Sequence, residues 1–162
     1  MSTTPLVLDT TYVLPIFEIA VDLSPPFSDE LRELWKKGSP GYEIFLPSTC
    51  LLECAYKLRR EFLKQGDPAI LMRYAQNLPV ILSSTVVKII DPIISPEMSD
   101  VAMKINSAGH PDLMDCWIAA CAVFLNGTLL TQDVTLREFL QKLPETKDLC
   151  LWSWTDFQDN KK

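Results

Sequence analysis

The chain has 162 residues, the length of one compact domain with room for a buried core. It is 48% hydrophobic and 22% charged, and no apolar run approaches the ~20 residues needed to cross a bilayer. The net charge of −6 does not advertise nucleic-acid binding through bulk charge, although a site built from several carboxylates would itself make up much of such a deficit. Met1 to Pro5 lack the basic patch and cleavage site of a secretory signal, so a soluble, cytoplasmic protein is expected. The five cysteines are an odd number without a CxxC, and the single histidine, His110, adjoins none of them. That pattern argues against a disulfide framework and against a thiolate zinc site.

Along the chain, strand and helix patterns alternate, which predicts a parallel sheet covered on both faces. Leu6-Val7-Leu8 is an apolar run ending in Asp9, the pattern of a buried first strand. Thr11 to Ala20 is expected to form a short helix, with Pro15 near its start. Pro25-Pro26 is a stop, Ser28 a predicted N-cap for a helix through Lys37, and Gly38 to Gly41 a turn. Glu43 to Leu46 is the second strand. Ser48 is the predicted cap of a helix with Leu51, Ala55, Leu58 and Phe62 on one face, stopped by Gly66. Asp67 is expected to open a further helix to about Asn77.

The β-branched run Val86 to Ile90 predicts a third buried strand, closed by Asp91-Pro92. Pro96 to Ala108 is predicted helical and broken by Gly109. Asp112 to Leu125 is the clearest helix, with Asn126-Gly127 as its stop. Thr128 to Thr131 is the fourth strand, followed by Asp133, a helix from Val134 to Lys142 and a last strand at Leu149 to Ser153. The expected organisation is one domain over residues 1–157 and a short polar tail, 158–162.

In an open parallel α/β sheet, ligands bind beyond the carboxyl ends of the strands. Asp9 follows the first strand directly, and Asp133 follows the fourth after two residues. Two acids at one sheet edge repel each other unless a cation or a proton lies between them. Glu53, early in the helix after the second strand, belongs to the same edge. Asp115 does not follow from spacing: its helix runs down into the fourth strand, and its start is expected away from the Asp133 edge. Each acid also has a local reading. Asp9 and Asp133 suit turns. Glu53 with Lys57 is an i,i+4 pair. Asp112 and Asp115 suit an N-cap and the residue three positions on.

Three segments carry a resemblance: LVLDTTYVL (Leu6 to Leu14), PSTCLLECAYKL (Pro47 to Leu58) and DLMDCWIAACAVFLNGTLLTQD (Asp112 to Asp133). The order, types and spacing of Asp9, Glu53, Asp115, Ile118-Ala119-Ala120, Ala122, Gly127, Leu129-Leu130-Thr131 and Asp133 resemble the PIN-domain family and its VapC-like ribonucleases. The resemblance implies a three-layer α/β/α sandwich around a central parallel sheet of four to five strands. It implies an endoribonuclease dependent on Mg²⁺ or Mn²⁺, with Asp9, Glu53, Asp115 and Asp133 as catalytic and metal-binding acids. It also brings Asp115 to the site. Thr11 matches a position where the family often has Ser or Asn, and Thr131 the small hydroxyl before the last acid. Asp112 lies outside the shared pattern and is expected to cap its helix. The acidic, Pro-rich stretch between Glu18 and Lys37 is longer than in many toxin-type relatives.

Carboxylate oxygens are hard ligands and suit Mg²⁺ or Mn²⁺ rather than zinc. A lone histidine excludes a two-histidine ribonuclease. There is no Gly-rich phosphate loop, and Asp9-Thr10-Thr11 lacks the second Asp that a HAD-type phosphatase requires. Lys57, Arg60 and Lys64 continue from Glu53 at helical spacing, a basic stripe suited to RNA phosphates, with Lys57 and Arg60 the residues nearest the acids. Trp152 and Trp154 alternate like strand residues and are expected in the core. Two other classes stay open: the toxin of a toxin–antitoxin pair with the same chemistry, and an inert interaction module. The partners implied are RNA, an antitoxin protein in the toxin reading, and a second copy of the chain in a homodimer.

Overall fold

The computed structural model describes residues 3–22 and 26–161. Five strands, β1 (Thr4–Leu8), β2 (Tyr42–Pro47), β3 (Val87–Ile90), β4 (Thr128–Leu130) and β5 (Cys150–Trp152), form one sheet in the order β3-β2-β1-β4-β5. All neighbours are parallel; in β1, Val7 sits opposite Phe45 of β2 and Leu129 of β4. Leu6, Val7 and Leu8 point alternately to the two faces and are all fully buried, so both faces are covered. The covering helices are α1 (Pro26–Lys37), α2 (Ser48–Gln65), α3 (Ala69–Leu82), α4 (Pro96–Ser107), α5 (Leu113–Phe124), α6 (Val134–Leu140) and α7 (Trp154–Asn160). This is the three-layer α/β/α architecture expected from the sequence, with five strands. Among the described residues no helix is long and apolar enough to cross a membrane.

The departures from expectation have local causes. The helix expected over Thr11 to Ala20 is two short 3-10 turns, Thr10–Tyr12 and Leu14–Phe17, ended by Glu18 at φ 58°. Pro15, which has no N–H to donate, sits in the first turn of the second. α1 starts at Pro26 rather than after a Ser28 cap; Pro25 of the expected stop lies outside the described residues. Ser48 does not cap α2: Pro47 holds the N-cap position, and the Ser48 hydroxyl instead donates to Asp91 Oδ1 at 2.9 Å, tying α2 to the end of β3. α3 runs beyond Asn77, through Pro79, to Leu82. β3 is an edge strand, not a buried one. Lys88 and Ile89 are exposed there, and Lys88 pairs with Glu43 of β2, a charged edge that discourages further strand pairing.

Trp154 is buried as expected, but as the first residue of α7, stacked on Tyr12 at 5.6 Å between ring centroids. α7 reaches Asn160 and opens with a Ser153–Asp156 capping box. Lys162 lies outside the described residues. The turn between α5 and β4 depends on Gly127: a Cβ there would stand 2.6 Å from the Pro5 carbonyl oxygen.

The strand order reverses between β1 and β4. β2 and β3 extend the sheet on one side of β1, and β4 and β5 on the other. In open α/β sheets such a switch point leaves a crevice at the carboxyl ends of the two strands. Asp9 and Asp133 stand there.

Candidate metal centre

Asp9 is the first residue past β1. Its N–H donates to the Leu130 carbonyl at 3.1 Å, which continues the ladder onto β4 and fixes the side chain at the carboxyl edge. Thr131, fully buried one residue past β4, donates its hydroxyl to Asp9 Oδ2 at 2.6 Å. The same hydroxyl oxygen accepts the Asp133 N–H at 3.1 Å. One threonine thus links the two acids that flank the switch point. Asp133 also serves as the N-cap of α6, its Oδ1 accepting the Leu136 N–H at 2.9 Å. The local reading of Asp133 and the site reading hold together.

Glu53 extends from α2 toward the same edge. The Thr10 hydroxyl donates to its Oε2, and Lys57 Nζ stands 3.3 Å from its Oε1. Here again the i,i+4 pair expected from the sequence exists, and it exists inside the site. Thr10 was not singled out by the sequence pattern. Its only signal is its place beside Asp9.

Asp115 corrects the topological expectation. α5 is joined to β4 by a short turn, so the end of α5 lies at the amino edge of the sheet. A helix antiparallel to the strand it feeds starts at the opposite, carboxyl edge, where Asp133 stands. Asp115, in the first turn of α5, is therefore delivered to the site by connectivity alone. Asp112 caps α5 as expected, accepting the Met114 N–H at 2.8 Å, and also borders the cleft. His110 was not anticipated as a site neighbour. Its Nε2 lies 3.0 Å from Asp115 Oδ2.

Asp9, Glu53, Asp115 and Asp133 line one cleft of about 210 Å³ together with Thr10, Thr11, Leu14, Lys57 and Asp112. Of the two basic residues expected to serve substrate, Lys57 lines this cleft; Arg60 is exposed farther along α2 and does not. A larger cavity of about 520 Å³, bordered by Trp35, Arg32 and Val80, shares no residue with the cleft and has no carboxylate in its wall.

Burial and the neighbouring acids both disfavour ionisation of the carboxyls in this cleft. Burial pushes the Asp9 carboxyl from 3.8 up to about 7; the Thr131 hydroxyl opposes this, and the charges of Asp115 and Glu53 add to it. Burial likewise raises Asp115 from 3.8 to about 6, opposed by the His110 hydrogen bond and increased by Asp112 and Asp133. Among the described residues no three His, Cys, Asp or Glu side chains are set closely enough to hold a metal ion as they stand. Each acid instead spends an oxygen on a neighbour: Thr131, Thr10, His110 or the Leu136 N–H. The donor set is nonetheless all carboxylate and hydroxyl oxygen, the hard ligands that Mg²⁺ and Mn²⁺ take. The residues present fit such an ion in chemistry and in charge.

Comparison with known proteins agrees with the sequence resemblance. The family model described as "PIN domain" matches residues 6–139. A search of curated proteins finds no match. Among solved structures, the chain is similar to one from VapBC2 of Rickettsia felis bound to a promoter DNA fragment, with TM-score 0.60 and 19% identity, over 93% of this chain and 98% of that one. It is similar to a chain of FitAB bound to the IR36 DNA fragment, with TM-score 0.58 and 15% identity, over 92% and 94%. A third is in VapBC-1 from nontypeable Haemophilus influenzae, with TM-score 0.57 and 18% identity, over 93% and 98%. At these identities the likeness is one of fold. With the family model matched from β1 into α6 and the same fold found in these structures, the chain belongs to the PIN-domain family.

Proposed function

We propose that this protein is a divalent-metal-dependent endoribonuclease whose site is the carboxylate cleft. The observation that carries the reading is the convergence of Asp9, Glu53, Asp115 and Asp133, from four separate parts of the chain, on one cleft at the switch point of the sheet. Like charges gathered at such a place, with Asp9 buried among them, raise the free energy of the folded chain unless something positive compensates them. Asp9 and Asp115 would be the main ligands of Mg²⁺ or Mn²⁺, with Glu53 and Asp133 as further ligands or as groups that orient the attacking water. When bound, the cation supplies Lewis-acid polarisation of a phosphoryl oxygen and neutralises the acids.

The chain's own residues do the rest. Thr131 and Thr10 hold the Asp9 and Glu53 carboxylates in place, and Thr11 lines the cleft beside them. Lys57 places a cation at the cleft wall for a substrate phosphate, and Arg60 extends the basic stripe along α2. In-line hydrolysis of a phosphodiester asks mainly for positioning and charge compensation, which this arrangement is built to give.

The test is cleavage of labelled RNA by the purified protein with Mn²⁺, with Mg²⁺ and with EDTA. Wild type should cut only with metal, and Asp115→Asn should be slower by more than about 100-fold. Undiminished metal-dependent cleavage by Asp115→Asn would refute the assignment. A second reading, the toxin of a toxin–antitoxin pair, is favoured by the fold likeness to chains of VapBC and FitAB complexes. It uses the same chemistry and adds a protein inhibitor. Co-expression with the product of an adjacent gene should then suppress cleavage.

A further inference from the structure

Resting on the metal-nuclease reading, we propose that His110 is a positioning residue, fixing one oxygen of Asp115 so that the other faces the cation. Asp9 and Glu53 each have one oxygen engaged by a side-chain hydroxyl from another part of the chain, Thr131 Oγ1 on Asp9 Oδ2 and Thr10 Oγ1 on Glu53 Oε2. Among the described residues no hydroxyl takes that role for Asp115. His110 Nε2 takes it, 3.0 Å from Asp115 Oδ2. An ionised carboxylate only accepts hydrogen bonds, so Nε2 is the donor of this bond.

The ring is well anchored for such a task. His110 is 6% exposed and lies against Phe139 of α6, with ring centroids 5.1 Å apart. Its backbone carbonyl accepts the Asn106 side-chain N–H at 2.9 Å. Gly109, at φ 114°, turns the chain between α4 and α5 in a conformation that residues with a Cβ rarely adopt. The α4–α5 turn, α5 and α6 thus meet at the imidazole, and α6 begins at Asp133. Groups that hydrogen-bond to metal-ligating residues commonly contribute about 10- to 100-fold to metal affinity.

Phe at this position keeps the packing on Phe139 and removes the donor. Gln carries an amide N–H near the place of Nε2. The test is calorimetric titration of wild type, His110→Phe and His110→Gln with Mn²⁺, alongside kcat and KM for RNA cleavage and the melting temperature without metal. His110→Phe should bind Mn²⁺ about 10- to 100-fold more weakly and lose kcat with little change in KM for RNA. His110→Gln should regain most of the affinity. If the Phe variant fails to fold, His110→Asn, whose shorter amide falls short of Asp115, takes its place. Wild-type affinity in the Phe variant, or equal loss in the Phe and Gln variants at equal stability, would overturn the proposal while leaving the nuclease reading intact. Absence of Mn²⁺ binding by wild type itself would overturn both.

Discussion

Replacing Asp9 by Asn should stabilise the metal-free protein, and more so at alkaline pH. The Asp9 carboxyl is raised from 3.8 to about 7, first by burial and then by the charges of Asp115 and Glu53. An acid with a higher pKa folded than unfolded binds more protons in the folded state. Its ionisation therefore costs stability as pH rises from about 4 to about 7, and the full cost is present above that range. That rise from 3.8 to about 7 corresponds to about 4 kcal/mol at pH 8 and less than about 2 kcal/mol at pH 5. Asn removes the charge and keeps an oxygen to accept the Thr131 hydroxyl, now 2.6 Å from Asp9 Oδ2. In EDTA, Asp9→Asn should melt higher than wild type by about 8–16 °C at pH 8, taking 1 kcal/mol as about 2–4 °C for a domain of this size. The gain should shrink at pH 5. Saturating Mn²⁺ should narrow or reverse it, because only wild type keeps all four acids. A pH-independent difference, or a lower melting temperature for Asp9→Asn at pH 8, would refute the reasoning.

Thr131→Val removes the hydroxyl that joins Asp9 to the Asp133 N–H, so stability in Mn²⁺ should fall by about 1–3 kcal/mol in urea titration. Asp133→Asn keeps an N-cap for α6 and should unfold within about 0.5 kcal/mol of wild type, yet lose most of its cleavage; Asp133→Ala should lose about 1 kcal/mol as well. Lys57→Ala should raise KM for RNA and make it less salt-dependent than in wild type, whereas Arg60→Ala, outside the cleft, should change KM less. Gly127→Ala forces a Cβ against the Pro5 carbonyl and should lower stability by about 2 kcal/mol or more, leaving the activity per folded molecule unchanged.

What the sequence shows of this protein follows from which forces are local. The alternation of apolar runs and amphipathic stretches reports burial on two sheet faces, and β1, β2, β4, α2 and α5 are all legible from it. Whether a strand is central or at the edge depends on its neighbours in the sheet, so β3 reads as buried although it closes one side. The two 3-10 turns after Asp9 and the first residue of α7 depend on tertiary packing around Tyr12 and Trp154.

The site divides in the same way. Asp9, Glu53 and Asp133 follow from rules about strand ends and helix starts. Asp115 follows from the direction of α5, which only the short connection into β4 makes plain. The local readings of Asp133, Asp112 and Glu53 are not competitors of the site: the caps and the ion pair exist, and the side chains still reach the cleft. His110 carries no sequence signal, and Thr10 only its place beside Asp9, because a hydrogen bond across the fold has no spacing rule.

Whether the four cleft acids form a cation site is tested most directly by calorimetric titration of the metal-free protein with Mn²⁺. Wild type should bind with a saturable heat, and Asp9→Asn should bind at least about 10-fold more weakly. No binding by wild type at millimolar Mn²⁺, or equal binding by the two proteins, would contradict it.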